Sequence, residues 1–348
     1  MEVYILNTNL EIIATIDEYR SLIWTPRFNT CGDFELYVPA TETNIKLLKK
    51  RYYVMRSDDP TKVAVIEKVK ISQDATNGDY ITASGRDASS ILWRRIVWLQ
   101  TTYSGPAERV IRRMIVAAFM DPDDPDRVIS NLELGSLIGD TEKIKMQFTG
   151  DVIGDAIVKI CQEQGLGFRT LFDRATNKFT FSLYRGVDRS YDQSTRPFVV
   201  FSEDFDNLLS STYTDDGSVY KNVARIGGEG QGINRVMTQV GSATGLNRYE
   251  TFINAATLSS NKGELSASEY KNILKQKAKE TLAGLKHQES MEAEIEPNYT
   301  YTLGKDYKLG DIVQIVDEYG HEAAVRITEI IESWGDTGYS CIPHFSAI

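Results

Sequence analysis

The chain has 348 residues, room for two or three domains of ordinary size. Lysine and arginine total 39 against 49 aspartates and glutamates, a formal charge of −10 and a pI near 5.0, which argues against a protein whose main work is neutralising phosphates. With 41% hydrophobic residues it can bury real cores, which excludes wholesale disorder, and its longest apolar run, Met114 to Met120, is far short of the roughly twenty residues of a transmembrane helix.

The N-terminus, MEVYILNTNLEII, has no basic region and no small-residue cleavage site, so no signal peptide is expected. Glu2–Leu6 and Leu10–Ile16 read as a hairpin around the turn Asn7-Thr8-Asn9. Ser21–Trp24 and Asp33–Val38 are strands flanking a loop that holds Pro26 and Gly32. Tyr52–Arg56, the turn Asp58-Asp59-Pro60 and Lys62–Ile71 follow, with Val65, Glu67, Val69 and Ile71 expected on one half-buried face. After Asn77-Gly78, Tyr80–Ala83 completes a set of short strands that suggests a small barrel or sandwich. Gly85-Arg86-Asp87 then reads as a tight turn with an Arg–Asp ion pair.

The middle of the chain reads as an α+β unit. Pro106–Met120 is a helix with proline in its first turn, ended by the acidic, proline-rich Asp121–Arg127. Asp151 is the expected N-cap of a second helix, with Val152, Ile153, Ala156, Ile157, Ile160 and Cys161 as its apolar stripe and Gly165 as a left-handed C-cap. Phe168–Phe172 and Lys178–Tyr184 form a hairpin. Gly241–Gly263 reads as a long exposed loop, and the capping box Ser266-x-x-Glu269 opens a further helix. Strands return with Asp311–Val316, the turn Glu318-Tyr319-Gly320, Ala323–Ile331 and Tyr339–His344. Tyr52–Ala83 and Ile312–Ile342 share one order of strands and turns: Ala64-Val65 matches Ala324-Val325, and Gly78-Asp79-Tyr80 resembles Thr337-Gly338-Tyr339.

Sites of chemistry are sparse. Cys31, Cys161 and Cys341 are odd in number and far apart, as reduced thiols are. His287, His321 and His344 have no metal-ligand spacing and no nucleophile tied to them. The cluster Gly227-Gly228-Glu229-Gly230-Gln231-Gly232 lacks the lysine and Ser/Thr of a phosphate loop and reads as a flexible turn. Asp121 to Asp126 does not match an EF-hand loop. No catalytic, cofactor-binding or metal-binding residue is assigned, and no cofactor is expected. The 18 tyrosines suit an interface-rich protein.

Four segments together resemble the siphophage tail hub (baseplate hub) proteins, the Gp37-like tail proteins related to the N-terminal part of tail-associated lysins. They are SLIWTPRFNTCGDFELYVP (Ser21–Pro39), ITASGRDASSILWRR (Ile81–Arg95), NVARIGGEGQGINR (Asn222–Arg235) and LGDIVQI (Leu309–Ile315), in the family's order across almost the whole chain. The resemblance implies a mainly β fold with α+β insertions: two similar tube-like β-barrel domains plus peripheral helical segments. The expected layout is a first barrel over 1–102, an α+β insertion over 103–200, and a second barrel over 201–348 with a loop-helix insertion at about 241–290. It further implies a homotrimer at the distal end of the tail tube, a pseudo-six-fold ring that lets viral DNA pass. Its partners would be a distal tail protein or tube ring, the tape measure protein, and fibre, spike or receptor-binding proteins, with no stable membrane insertion. The virion tail is the expected location, after synthesis in the host cytoplasm. Larger relatives continue into lytic or fibre-like regions, whereas this sequence stops at Ile348, so no enzymatic activity is carried over. The competing expectations are a cell-wall-degrading tail enzyme and a monomeric receptor- or glycan-binding module, the latter requiring an exposed aromatic groove.

Overall fold

The computed structural model describes all residues other than 74–77, 261–263, 287, 296–299, 318–321, 337 and 348. The turn at Glu318-Tyr319-Gly320, Asn77, Thr337, His287 and His321 therefore lie outside the described residues.

The first third is built from β1 (Val3–Leu6), β2 (Ile12–Ile16), β3 (Ser21–Thr25), β4 (Asp33–Pro39), the short helix α1 (Glu42–Leu47), β5 (Tyr53–Arg56), β6 (Val63–Ser72) and β7 (Tyr80–Asp87). Asn7 closes the first hairpin by accepting the amides of Asn9 and Glu11 at 2.8 and 3.1 Å. In β4 the alternation is regular: Phe34, Leu36 and Val38 point inward and join Val3, Ile5, Trp24 and Val54 in one core. In β6 the alternation breaks. A bulge between Ile66 and Lys68 inserts one residue, so Ala64 and Ile66 before it share the core side with Val69 after it. Val65 and Glu67 consequently do not share the face of Val69 and Ile71, contrary to the period-2 reading. The tight turn expected at Gly85 is also absent, because β7 runs on to Asp87 and Gly85 pairs with Ile66 at the bulge. A Cβ on Gly85 would lie 1.9 Å from the Val65 carbonyl oxygen, so glycine serves close backbone approach there.

A 3-10 turn, Ala88–Arg94, leads into the α+β unit: β8 (Thr101–Pro106), α2 (Ala107–Ile115) with a π-helical turn at Val116–Met120, β9 (Leu132–Leu134), β10 (Lys143–Phe148), α3 (Ile153–Gln164), β11 (Gly167–Asp173) and β12 (Lys178–Tyr184). The helices bury Val110, Ile111, Met114, Ile157 and Ile160 against Phe168, Phe179 and Phe181. Gly165 ends α3 at φ 61°, the left-handed cap expected. Asp151 is not the N-cap. Its carboxylate accepts from the Thr149 amide at 2.9 Å, its carbonyl accepts from Val97 at 2.8 Å, and Val152 takes the cap position.

The remainder comprises β13 (Val200–Ser202), β14 (Leu208–Asp216), β15 (Val223–Gly227), β16 (Met237–Val240), β17 (Glu250–Asn254), α4 (Ala267–Ala283), β18 (Gln288–Ile295), β19 (Ile312–Val316), β20 (Glu322–Gly335) and β21 (Gly338–Ala347). The expected loop Gly241–Gly263 contains β17, which runs parallel to β15 while β16 runs antiparallel on its other side. This small sheet packs Ala224 and Ile226 on Tyr270, Leu274 and Ala278 of α4, whose Ser266–Glu269 capping box forms as expected.

The fold is mainly β, and one large sheet unites its ends in the order β14-β18-β21-β20-β3-β4-β7-β6-β5-β1-β2, with β19 and β13 branching from β20. Among the described residues this path ends at β14 and β2 and forms no closed barrel. The faint repeat is real in register: Val54 pairs with Ala64 and Gln314 with Ala324, both shifted by 260 positions. Each long middle strand also carries a bulge against its third strand, at Ile66/Lys68 in β6 and at Ile327/Glu329 in β20. β20 is long enough to pair with β19 over Glu322–Arg326 and with β3 over Glu332–Gly335, while β21 lies on its other edge. It thereby splints the two repeats together.

Candidate functional site

The residues that the four sequence motifs bring together are joints between parts of the chain. Where β20 meets β3, Arg56 is 3% exposed and sits over the Trp334 ring at 4.4 Å and the Trp24 ring at 5.8 Å. It donates to Glu332 at 2.7 and 3.3 Å and to Asp58 at 2.6 and 3.0 Å. Burial works against the charge, but the two carboxylates more than offset it, so the guanidinium's pKa is raised. Arg27 makes a parallel tie, donating to Glu329, to Asp33 at 2.6 Å and to the Cys31 carbonyl at 3.2 Å.

Phe28 is the point where three parts of the chain meet. It is 1% exposed, and its ring occupies space left by Gly167 of the α+β unit and Gly310 before β19, where a Cβ would come within 2.3 and 2.5 Å. Tyr184 packs edge-on at 5.4 Å and the Arg326 guanidinium lies 5.1 Å from the ring centre. Its backbone donates to Thr328 and accepts from Phe168, at 2.9 and 3.0 Å.

Arg86 and Asp87 do not pair with each other, contrary to expectation. Arg86 makes a two-pronged bond to Glu67 across the bulge at 2.7 and 3.0 Å. Asp87 is half-buried and accepts from the Gly32 amide at 2.9 Å, the Ser89 amide at 2.7 Å and the Cys31 thiol at 3.2 Å. Burial raises its pKa against those donors. The first and second motifs thus lock to each other through Asp87. In the last motif Asp311 accepts from the amides of Val187 and Lys308 at 2.7 and 3.0 Å and from Arg189 at 3.1 Å.

The glycine cluster is a turn leaving β15, as expected, and polar contacts pin it in place. Gly228 leaves room for the Tyr270 hydroxyl, which lies 2.4 Å from where its Cβ would be and accepts from the Glu229 amide at 2.7 Å. Arg235 donates to the carbonyls of Gly227 and Gly228 at 2.8 and 3.1 Å, and Ser260 donates twice to the Glu229 carboxylate at 2.7 and 2.9 Å. Those Ser260 bonds, with Ser259, hold the Glu229 pKa low. The Gly228 and Glu229 amides and the Arg235 guanidinium, groups that could otherwise meet a phosphate, are engaged within the protein.

All three cysteines are buried and free, and burial pushes their thiol pKa values up, Cys341 to about 11. Among the described residues no group of three or more His, Cys, Asp or Glu is placed to hold a metal ion, and no helix is long and apolar enough to cross a membrane. Exposed apolar residues concentrate away from the joints. Trp98 and Leu99 are 63% and 62% exposed beside a groove of about 400 Å³ lined by Trp93, Arg94, Arg95 and Arg127. Ile233 and Leu246 stand fully exposed in two like-built turns, Gly232-Ile233-Asn234 and Gly245-Leu246-Asn247, at opposite ends of β16. Sequence reasoning missed Phe28, the Arg56–Glu332 pair and these turns, although the repeated Gly-aliphatic-Asn-Arg pattern at 232–235 and 245–248 was a legible signal.

This fold, two β repeats joined through β20 with an α+β unit and a sheet–helix unit attached, is similar to that of phage tail proteins of known structure. The 43 kDa tail protein of prophage MuSo2 from Shewanella oneidensis is similar at 13% identity and TM-score 0.59, over 100% of this chain and 98% of that one. A tail protein from Neisseria meningitidis MC58 is similar at 12% identity and TM-score 0.59, over 99% and 95%. Prophage tail protein gp18 from Listeria monocytogenes EGD-e is similar at 11% identity and TM-score 0.56, over 99% and 94%. No curated protein matches the chain. The family described as Siphovirus ReqiPepy6 Gp37-like protein matches residues 2–345, and the chain belongs to that phage tail protein family.

Proposed function

We propose that this chain is a baseplate hub: three copies close into a ring at the distal end of the tail tube, and DNA passes through it. The observation that carries the reading is the doubled three-strand motif, kept in one register at a spacing of 260 residues and splinted by β20. Two repeats in each of three subunits present six like surfaces, which suits stacking on a six-fold tube. Among the described residues the sheet path ends at β2 and β14, and in this reading these outermost strands are where neighbouring copies complete two tube-like barrels. In this reading residues 1–102 and 201–348 form the wall, and 103–200 with the 241–290 region stand at its periphery.

The role is structural and not enzymatic. The motif residues that would be the candidates for chemistry are engaged as joints, and the thiols are buried. The exposed tyrosines, Trp98 and the aliphatic tips suit contacts with a distal tail protein or tube ring, the tape measure protein, and fibre, spike or receptor-binding chains. The charge of −10 suits a lumen that repels phosphate, which a basic channel in the assembled ring would contradict. A second reading, glycan binding, draws on the Trp93–Trp98 groove. Titration of host saccharides against tryptophan fluorescence tests it, and no change on addition excludes it.

Light scattering at several concentrations tests the hub. The subunit of 39.2 kDa predicts 117.6 kDa for the trimer (3 × 39.2), and negative-stain images of that species should show a ring. A constant monomer mass, together with immunogold labelling that misses the distal tail end in virions, would refute the proposal.

A further inference from the structure

The sheet–helix unit of β15–β17 and α4 rests on the α+β unit along one seam. At one end Lys145 of β10 meets Glu269 at 3.7 Å, and Gln147 exchanges two hydrogen bonds with the Ser259 backbone at 3.0 and 3.2 Å. Leu258 and Ile273 close over Met146 and Phe148 in the middle. The far end is built from acids. Gln276 of α4 donates to Glu163 Oε1 of α3 at 2.6 Å, while Glu163 Oε2 is buried without a hydrogen-bond partner. A buried carboxylate oxygen with no donor is costly unless a proton reaches it. One turn beyond Gln276, Glu280 lines the same seam beside Phe148 and Ile273, its side chain 10% exposed.

We propose that Glu280 carries a proton into the α3–α4 seam and donates it as a hydrogen bond to Glu163 Oε2, so that a shared proton latches the sheet–helix unit in place. When the proton passes to solvent, two carboxylates are left facing each other in a poorly hydrated seam, and docking weakens. The groups facing Glu280 are Lys277 on its own helix, with Nζ at 3.9 Å, Lys159 and Glu163 on α3, and Asp151 just before α3. β10 contributes Gln147 and apolar side chains there, its Lys145 being engaged by Glu269. Burial, with Glu163 and Asp151, outweighs the two lysines and pushes the Glu280 carboxyl up to about 7.

The sign follows from where the proton is held more tightly. The docked state keeps it up to about pH 7 and the undocked helix only to the ordinary value of 4.5. The contribution is therefore complete below 4.5, is lost progressively up to about 7, and falls no further above that. The interval from 4.5 to about 7 corresponds to a docking equilibrium weakened roughly three-hundredfold. The unit so released is the one that carries the exposed tips Ile233 and Leu246.

Hydrogen exchange of the full chain, read by mass spectrometry from pH 5 to 8.5 and corrected for intrinsic amide rates, tests the latch. Peptides over 267–283 should lose protection progressively from pH 5 to about 7 and level off above it, while β4 and β7 keep theirs. Glu280→Gln, whose amide can still donate to Glu163, should hold α4 protected at every pH. Glu163→Gln should move the transition to lower pH, which keeps the test open if the first variant does not fold. An α4 profile that parallels β4 and β7 across the range would overturn the proposal. So would an unchanged pH dependence in either folded variant.

Discussion

Removing the Phe28 ring tests whether the three-way joint holds the parts of the chain together. The ring is 1% exposed, and Phe→Ala at buried sites costs about 3–5 kcal/mol, depending on how far the walls can collapse. Two of those walls are the backbones of Gly167 and Gly310, which have no side chains to swing into the void. Gly167 is held in the β11–β12 ladder, and Gly310 donates to the Ile327 carbonyl at 2.9 Å while accepting from Arg326 at 2.8 Å. Little collapse is available, and the edge-on contact with Tyr184 is lost as well. The expected loss is therefore near the upper end, about 5 kcal/mol, with Phe28→Leu costing about 1–2 kcal/mol. Urea unfolding followed by tryptophan fluorescence and by far-ultraviolet circular dichroism measures it. With Trp93 and Trp98 replaced by phenylalanine in the background, Trp24 and Trp334 report on the β3–β20 joint, whereas the dichroism reports on all units. In Phe28→Ala the midpoints should fall, and the two probes should separate as the units lose their coupling. A loss below about 1.5 kcal/mol with coincident transitions would refute the reasoning.

Three further outcomes follow from the other joints. Glu332→Leu leaves Arg56 buried with one fewer carboxylate and should cost about 3 kcal/mol, part of which Arg56→Met restores in the double variant; additive losses in urea would contradict the coupling. Gly85→Ala places a methyl 1.9 Å from the Val65 oxygen and should cost at least about 2 kcal/mol, so an unchanged urea midpoint would show that the bulge can yield. The three thiols should ignore a soluble disulfide reagent in the native protein and all react in denaturant, whereas rapid native labelling of any one would contradict the buried placement.

Much of the local structure was legible because its causes are local. The alternation of Asp33–Pro39, the asparagine turn at residue 7, the capping box at Ser266 and the left-handed glycine at 165 each depend on neighbours within a few positions. The family motifs were legible too, and their order across the chain led to the family that residues 2–345 match. What the motifs do was not. Gly85 has the local look of a turn, and only the carbonyl of Val65 arriving from another strand makes it part of a bulged pair. Asp151 satisfies the residue preference of an N-cap, but Val97 engages its carbonyl and Thr149 its carboxylate. The 250–254 segment becomes a strand because β15 offers it a parallel edge.

By itself, then, the amino-acid order determined which segments bury one face, where most of them stop, and that two stretches 260 residues apart share a pattern. Tertiary structure decided how those stretches are joined. Arg56 and Glu332 are separated by 276 positions, and Phe28 reaches glycines at 167 and 310. No local rule pairs such residues, because a buried charge or a ring is stabilised by whichever groups the completed fold brings against it. The periodicity of a strand is carried by its own side chains, whereas the partner on its edge is chosen by the whole chain.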